Sequence, residues 1–102
     1  MAITREYNKE GNELTIRISG DLEFSMLDQF RQTYSGLDME QITIKIDLSA
    51  TERFNSEALG MLLILREHAG GEQAQISIIG CGPDMRRIFQ ASGFENLFTI
   101  SE

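Results

Sequence analysis

Residues 13–19 alternate Glu13, Thr15, Arg17 and Ser19 with Leu14, Ile16 and Ile18. A period of two gives a strand one buried and one solvated face. Residues 3–7 precede it across Gly11-Asn12, a dipeptide suited to a hairpin turn, so the chain is predicted to open with two antiparallel strands. Beyond Gly20-Asp21 the period changes. Phe24, Leu27, Phe30, Tyr34 and Leu37 recur at spacings of three and four, predicting an amphipathic helix near residues 24–35 that Gly36 helps to end. Residues 42–48 return to alternation and are rich in isoleucine, as strands are.

The segment 57–68 is apolar on nearly all sides, with Leu59, Met61, Leu62, Leu63, Ile64 and Leu65, and Gly70-Gly71 stops it. It reads as a helix enclosed by neighbours, with Leu59, Leu62 and Leu63 in the core. A strand over 75–79 follows. Gly80-Cys81-Gly82-Pro83 then leads into a helix near 84–92, with Pro83 suited to a first helical turn. That helix offers Met85, Ile88 and Phe89 to the core and ends near Ser92-Gly93, and a short strand over 97–100 closes the chain. Strands alternating with helices predict an α/β domain: a four- to five-stranded, mostly parallel mixed sheet with an antiparallel edge, packed against helices.

With 102 residues, 41% of them hydrophobic, the chain has material for one core, so residues 1–102 are expected to form one domain. The lone cysteine excludes an internal disulfide, and no basic and apolar leader precedes a small-residue cleavage site, so a reducing, cytoplasmic setting is expected. No apolar run approaches the roughly 18 residues of a membrane span, because Arg66, Glu67 and His68 interrupt the longest. Sixteen acidic residues against nine basic give a net charge of -7, which repels phosphate backbones and anionic lipid surfaces. Nucleic acid and membrane are therefore not expected partners.

Candidate chemistry is sparse. His68 and Cys81 stand alone of their kinds with no spacing that pairs them, so a thiol enzyme is not indicated. Asp21, Glu23, Asp38, Glu40 and Asp47 follow no metal-ligand spacing, and the glycines at 80 and 82 are followed by neither a phosphate loop nor a Gly-Lys pair. No catalytic residue, cofactor or metal is expected. Asn55-Ser56 before the central helix reads as an N-cap, and Glu57 suits the positive end of the helix dipole, worth about 0.3–1 kcal/mol. Gly60 is the oddity. One turn inside the helix it costs about 1 kcal/mol relative to alanine, which predicts a close approach there by some other group.

Three motifs, in order and at matching spacing, resemble the STAS family, in particular its small stand-alone anti-sigma factor antagonists, and within them the HsbA-type branch. The third strand ends Asp47-Leu48-Ser49 and leads to Asn55-Ser56-Glu57-Ala58-Leu59-Gly60, where the family carries Asp-Ser-Ser-Gly/Ala-Leu-Gly at a helix start. Gly20-Asp21-Leu22-Glu23 is similar to the family's turn before the first helix. Pro83 to Phe89, with Ser92-Gly93-Phe94, is similar to its closing helix. The resemblance implies a phosphoprotein of signal transduction and transcription regulation that switches partners. Unmodified, it binds an anti-sigma factor and frees a sigma factor; a serine kinase blocks that contact and a phosphatase restores it. The alternative is a STAS subunit of a lipid-transport or sensory scaffold complex, docking its partner without phosphorylation.

By alignment the family's acceptor serine falls at Glu57, and Ser56 is the one hydroxyl left in the motif. Three readings stand: Ser56 is the acceptor, Glu57 is a natural phosphate mimic, or Glu57 is an introduced one. The expected switch is thus Ser56 and Glu57, with a contact surface of Asn55, Ser56, Glu57 and Met61 flanked by Asp21, Leu22, Glu23 and Phe24. If the anti-sigma factor docks over this helix start, the Glu57 carboxylate is expected to be desolvated there without an evolved positive partner, at a cost in binding of about 1–3 kcal/mol.

Overall fold

A computed structural model of the chain describes residues 2–101. β1 (Ala2–Asn8) and β2 (Glu13–Asp21) form the antiparallel pair. A 3-10 turn (Phe24–Met26) and α1 (Leu27–Gln32) follow, then β3 (Thr43–Asp47), β4 (Thr51–Arg53), α2 (Ser56–His68), β5 (Gln75–Ile79), α3 (Pro83–Ser92) and β6 (Thr99–Ile100). Strand order across the sheet is β1-β2-β3-β5-β6, parallel from β2 onward, with β4 added beside the end of β2. Each crossover steps the same way, so right-handed connections place α1, α2 and α3 on one face.

Register explains the core. Leu14 pairs with Ile44 and Ile44 with Ile76, while Ile16 pairs with Ile46 and Ile46 with Ile78. These six side chains are buried and form two rows under the helices. The other face carries Thr15, Lys45 and Ser77 in one row and Arg17, Asp47 and Ile79 in the next, with Arg17 Nε 3.4 Å from an Asp47 carboxylate oxygen. Phe54, Phe89, Phe94 and Phe98 form a chain of ring contacts with centroids 5.1, 6.2 and 5.5 Å apart, which seals the β6 end.

The mixed sheet of the α/β fold is as the alternation predicts, with β4 as an added sixth strand. Three residues are too short for a hydrophobic period. β4 is held instead by Thr51 Oγ1 donating to the Ile18 carbonyl at 2.7 Å and by Gly20 N–H donating to the Ala50 carbonyl at 3.0 Å.

Two expectations about side chains are corrected. The first helix is split into a 3-10 turn and a six-residue α1, and its buried line is Met26, Phe30 and Tyr34, leaving Phe24 52% exposed. In α2 the buried side is Ala58, Met61, Leu62 and Leu65; Leu59 is half-buried and Leu63 is 38% exposed. At 100° per residue, Leu63 points away from Met61 and Leu65 and shares the outer line of Ser56 and Gly60. The open side of the helix carries Ser56, Glu57, Glu67 and His68, and Leu63 is the exposed large apolar side chain among them.

Candidate functional site

β4 explains why two distant segments meet. Asp21, the last residue of β2, pairs with Arg53, the last of β4, across a register shift at Gly20 and Asp21. The chain leaving β2 therefore runs alongside the chain entering α2. Asn55 is the N-cap of α2: its backbone is extended and its Oδ1 accepts from the Ala58 N–H at 3.1 Å. Ser56 is the first helical residue and is exposed. Glu57, next in the first turn, reaches out of its own helix. Its Oε2 accepts the Phe24 N–H at 3.0 Å, 33 residues away in sequence.

That bond gives Glu57 a backbone partner within the fold. Phe24 opens the 3-10 turn, and its N–H is one of the donors that a helical turn leaves without an internal acceptor. Glu23, the residue before it, makes no side-chain cap, so Glu57 supplies the acceptor from across the site. No sequence signal marks this contact, because an acidic residue is common in a first helical turn and its partner is a backbone N–H, which nearly every residue type carries.

Asn55, Ser56, Glu57, Glu23 and Phe24 are exposed, and Asp21 is half-buried with its Oδ1 enclosed and unbonded among the described residues. Leu22 and Met61 are fully buried. As members of a contact surface these two are corrected: both belong to the core beneath it, Leu22 by strand alternation and Met61 by its place on the inner side of α2. Gly60 is corrected as well. A Cβ built there meets nothing within 4 Å, so no neighbour requires the glycine, and it leaves a smooth spot on the outer line of α2.

The close approach lies instead at Gly80, after β5. Its φ is +74°, and a Cβ would stand 2.8 Å from Ser49 Cβ and 3.0 Å from Asp47 Oδ1. Asp47 Oδ1 also accepts the Ser49 N–H at 2.9 Å, which forms the turn out of β3. His68 and Cys81 are not brought together. His68 ends α2 with its ring 5.3 Å from that of Tyr34, whereas Cys81 follows the far end of β5 and directs its sulfur toward the Ser101 carbonyl at 3.8 Å.

A family model described as "Mlab, STAS domain" matches residues 6–99. The chain belongs to the STAS family. A STAS-domain containing protein of Pseudomonas aeruginosa (strain UCBPP-PA14) is 46% identical to this STAS chain over 101 residues, spanning 99% of the chain and 100% of the relative. Among solved structures, the unphosphorylated anti-sigma factor antagonist SpoIIAA matches with a TM-score of 0.73 at 18% identity, covering 99% of this chain and 88% of that one. Bacillus SpoIIAA in its phosphorylated form matches with a TM-score of 0.70 at 20% identity over 99% and 92% of the two chains. An anti-sigma factor antagonist from Mycobacterium paratuberculosis matches with a TM-score of 0.74 at 20% identity over 97% and 85%. At such identities the likeness is one of fold. No helix among the described residues of this STAS protein is long and apolar enough to cross a membrane.

Proposed function

We propose that this STAS protein is an anti-sigma factor antagonist of the HsbA-type branch, controlled by phosphorylation of Ser56. The observation that carries the reading is the division of labour at the start of α2. Ser56 offers an exposed hydroxyl at the first helical position, while the Glu57 carboxylate is engaged by the Phe24 N–H. A carboxylate held in a structural bond is a poor phosphate mimic, which favours Ser56 as acceptor among the three readings. Solved relatives of the same fold are described as anti-sigma factor antagonists, one of them in a phosphorylated form.

The protein acts here as binding module and substrate, not as catalyst, with an anti-sigma factor, a serine kinase and a phosphatase as cytoplasmic partners. The kinase joins Ser56 Oγ to the γ-phosphorus of ATP as the bond to ADP breaks, and the hydroxyl proton passes to the kinase's base. The added group carries about -1.5 to -2 charges at a helix start, where the free N–H donors and the dipole accept it. The fold is spared and the docking surface changes sign of fit.

Phosphosite mapping of the protein from its own cells tests the assignment: Ser56 is expected to carry the phosphoryl group, and its absence under all growth conditions overturns it. Ser56→Ala is expected to bind the anti-sigma factor in every condition, and Ser56→Asp to bind it more weakly. A second reading is favoured by the family model's own description, which names Mlab: a STAS subunit docked in a larger assembly, lipid-transport or sensory, without phosphorylation. Capture from native cells separates the two, an anti-sigma factor supporting the first and a transporter ATPase the second.

A further inference from the structure

Phe24 and Leu63 are the large apolar side chains that stand exposed among the described residues, and Phe24 is the more exposed of the two. Its outward pose follows from its neighbours. Leu22 and Met26 are buried on either side of it, and the turn is closed by Met26 N–H donating to the Glu23 carbonyl at 2.9 Å. With the two flanking side chains in the core, the intervening ring is turned to solvent. The Phe24 carbonyl accepts the Leu27 N–H within the turn, and the Glu57 carboxylate, on the Phe24 N–H at 3.0 Å, ties the turn to α2. Glu57 is therefore bonded to the residue that carries the exposed ring and is covalently next to the proposed acceptor.

We infer that Glu57 is a positioning residue that braces the Phe24 turn against α2, and that a phosphoryl group on Ser56 acts by displacing this brace. The inference deepens the functional reading above and rests on Ser56 as the modified residue. The physical reason is competition at one helix start. The N–H groups of the first turn have no intrahelical acceptors, and the Asn55 side chain already takes that of Ala58. A phosphoryl group on Ser56 draws on the donors that remain and brings a second anion beside Glu57. Like charges so placed repel, and the dipole that favoured the Glu57 carboxylate is now answered by the phosphate. The carboxylate swings out, the Phe24 N–H loses its acceptor, and the turn bearing the aromatic ring loosens. Phosphorylation thereby changes the docking surface in two ways at once, by added charge and by a displaced apolar anchor.

The test needs no partner and no kinase. Amide hydrogen exchange and the 15N chemical shift of Phe24 are measured by NMR in the unmodified protein, in Glu57→Ala, in Glu57→Gln, and in protein with phosphoserine genetically encoded at position 56. Exchange at Phe24 is expected to quicken about tenfold in Glu57→Ala, as a lost hydrogen bond of ordinary strength implies, and to quicken similarly with phosphoserine. Glu57→Gln, which keeps an acceptor without the charge, is expected to restore the unmodified behaviour and to resist phosphoserine. Uniform change at all amides of α2 is the signature of simple destabilisation and overturns the positioning role. A Phe24 amide indifferent to Glu57→Ala overturns the brace, and one indifferent to phosphoserine overturns the coupling. Because phosphoserine is genetically encoded and needs no kinase, the brace is tested even where phosphosite mapping finds Ser56 unmodified in cells, so the two readings fail separately.

Discussion

Glu57 links two helix starts through one hydrogen bond, so its replacement is felt in stability as well as in binding. Glu57→Ser is expected to lower stability by about 0.5–1.5 kcal/mol, the net worth of a hydrogen bond, and Glu57→Gln by less, since an amide oxygen can still accept from Phe24. Urea unfolding of both variants checks this, and equal midpoints for Glu57→Ser and the unaltered protein count against the bond. The two conspicuous glycines make a second contrast. Gly60→Ala enters open space on a helix and is expected to stabilise by about 0.5–1 kcal/mol. Gly80→Ala combines a left-handed backbone with a clash against Ser49 and is expected to destabilise by about 1–3 kcal/mol. Thermal unfolding that moves both the same way contradicts this assignment. A glycine inside a helix catches the eye in a sequence, while a glycine after a strand does not; only the packing shows that the second is the constrained one.

The element whose packing was hardest to read is α2. Its leucines are chemically alike, and sequence alone gives no direction to a helix apolar on every side. Ala58, Met61, Leu62 and Leu65 face the sheet, and Leu63 faces solvent. Leu62→Ala is expected to cost about 2–5 kcal/mol by leaving a cavity in a closed core, whereas Leu63→Ala is expected to stay within about 0.5 kcal/mol, as surface replacements do. Denaturant midpoints for the pair decide it, and equal losses mean that α2 is rotated from the orientation described. The N-cap at Asn55 was legible from its residue type and position, and Asn55→Ala is the natural companion, with a loss of about 1 kcal/mol.

At the scale of the molecule, two ionisable groups set the expected pH limits of stability. The Ser49 N–H, with Arg17 adding to it, holds the Asp47 carboxyl below its ordinary value of 3.8. A depressed acid contributes stability above that ordinary value and loses it as pH falls through the folded value. Burial pushes the Tyr34 phenol above its ordinary 10.0, with Arg31 offsetting part of the rise. That contribution is present below the ordinary value and is lost as pH climbs through the folded one. Urea midpoints are therefore expected to fall at both extremes, with Asp47→Asn flattening the acid limb and Tyr34→Phe the alkaline limb. A variant whose limb keeps the slope of the unaltered protein removes that group from the account.

The sequence by itself determined five of the six strands, β4 excepted, because alternation of apolar with polar residues admits one buried face. It determined the three helical regions and the cap of α2, where residue type and position act locally. Tertiary structure alone decided which side of α2 is inner, that Leu22 and Met61 lie beneath the site, that Gly80 and not Gly60 is sterically required, and that Glu57 serves Phe24. Each of these depends on what lies across a gap of many residues, and a local pattern carries no information about the far side of a contact.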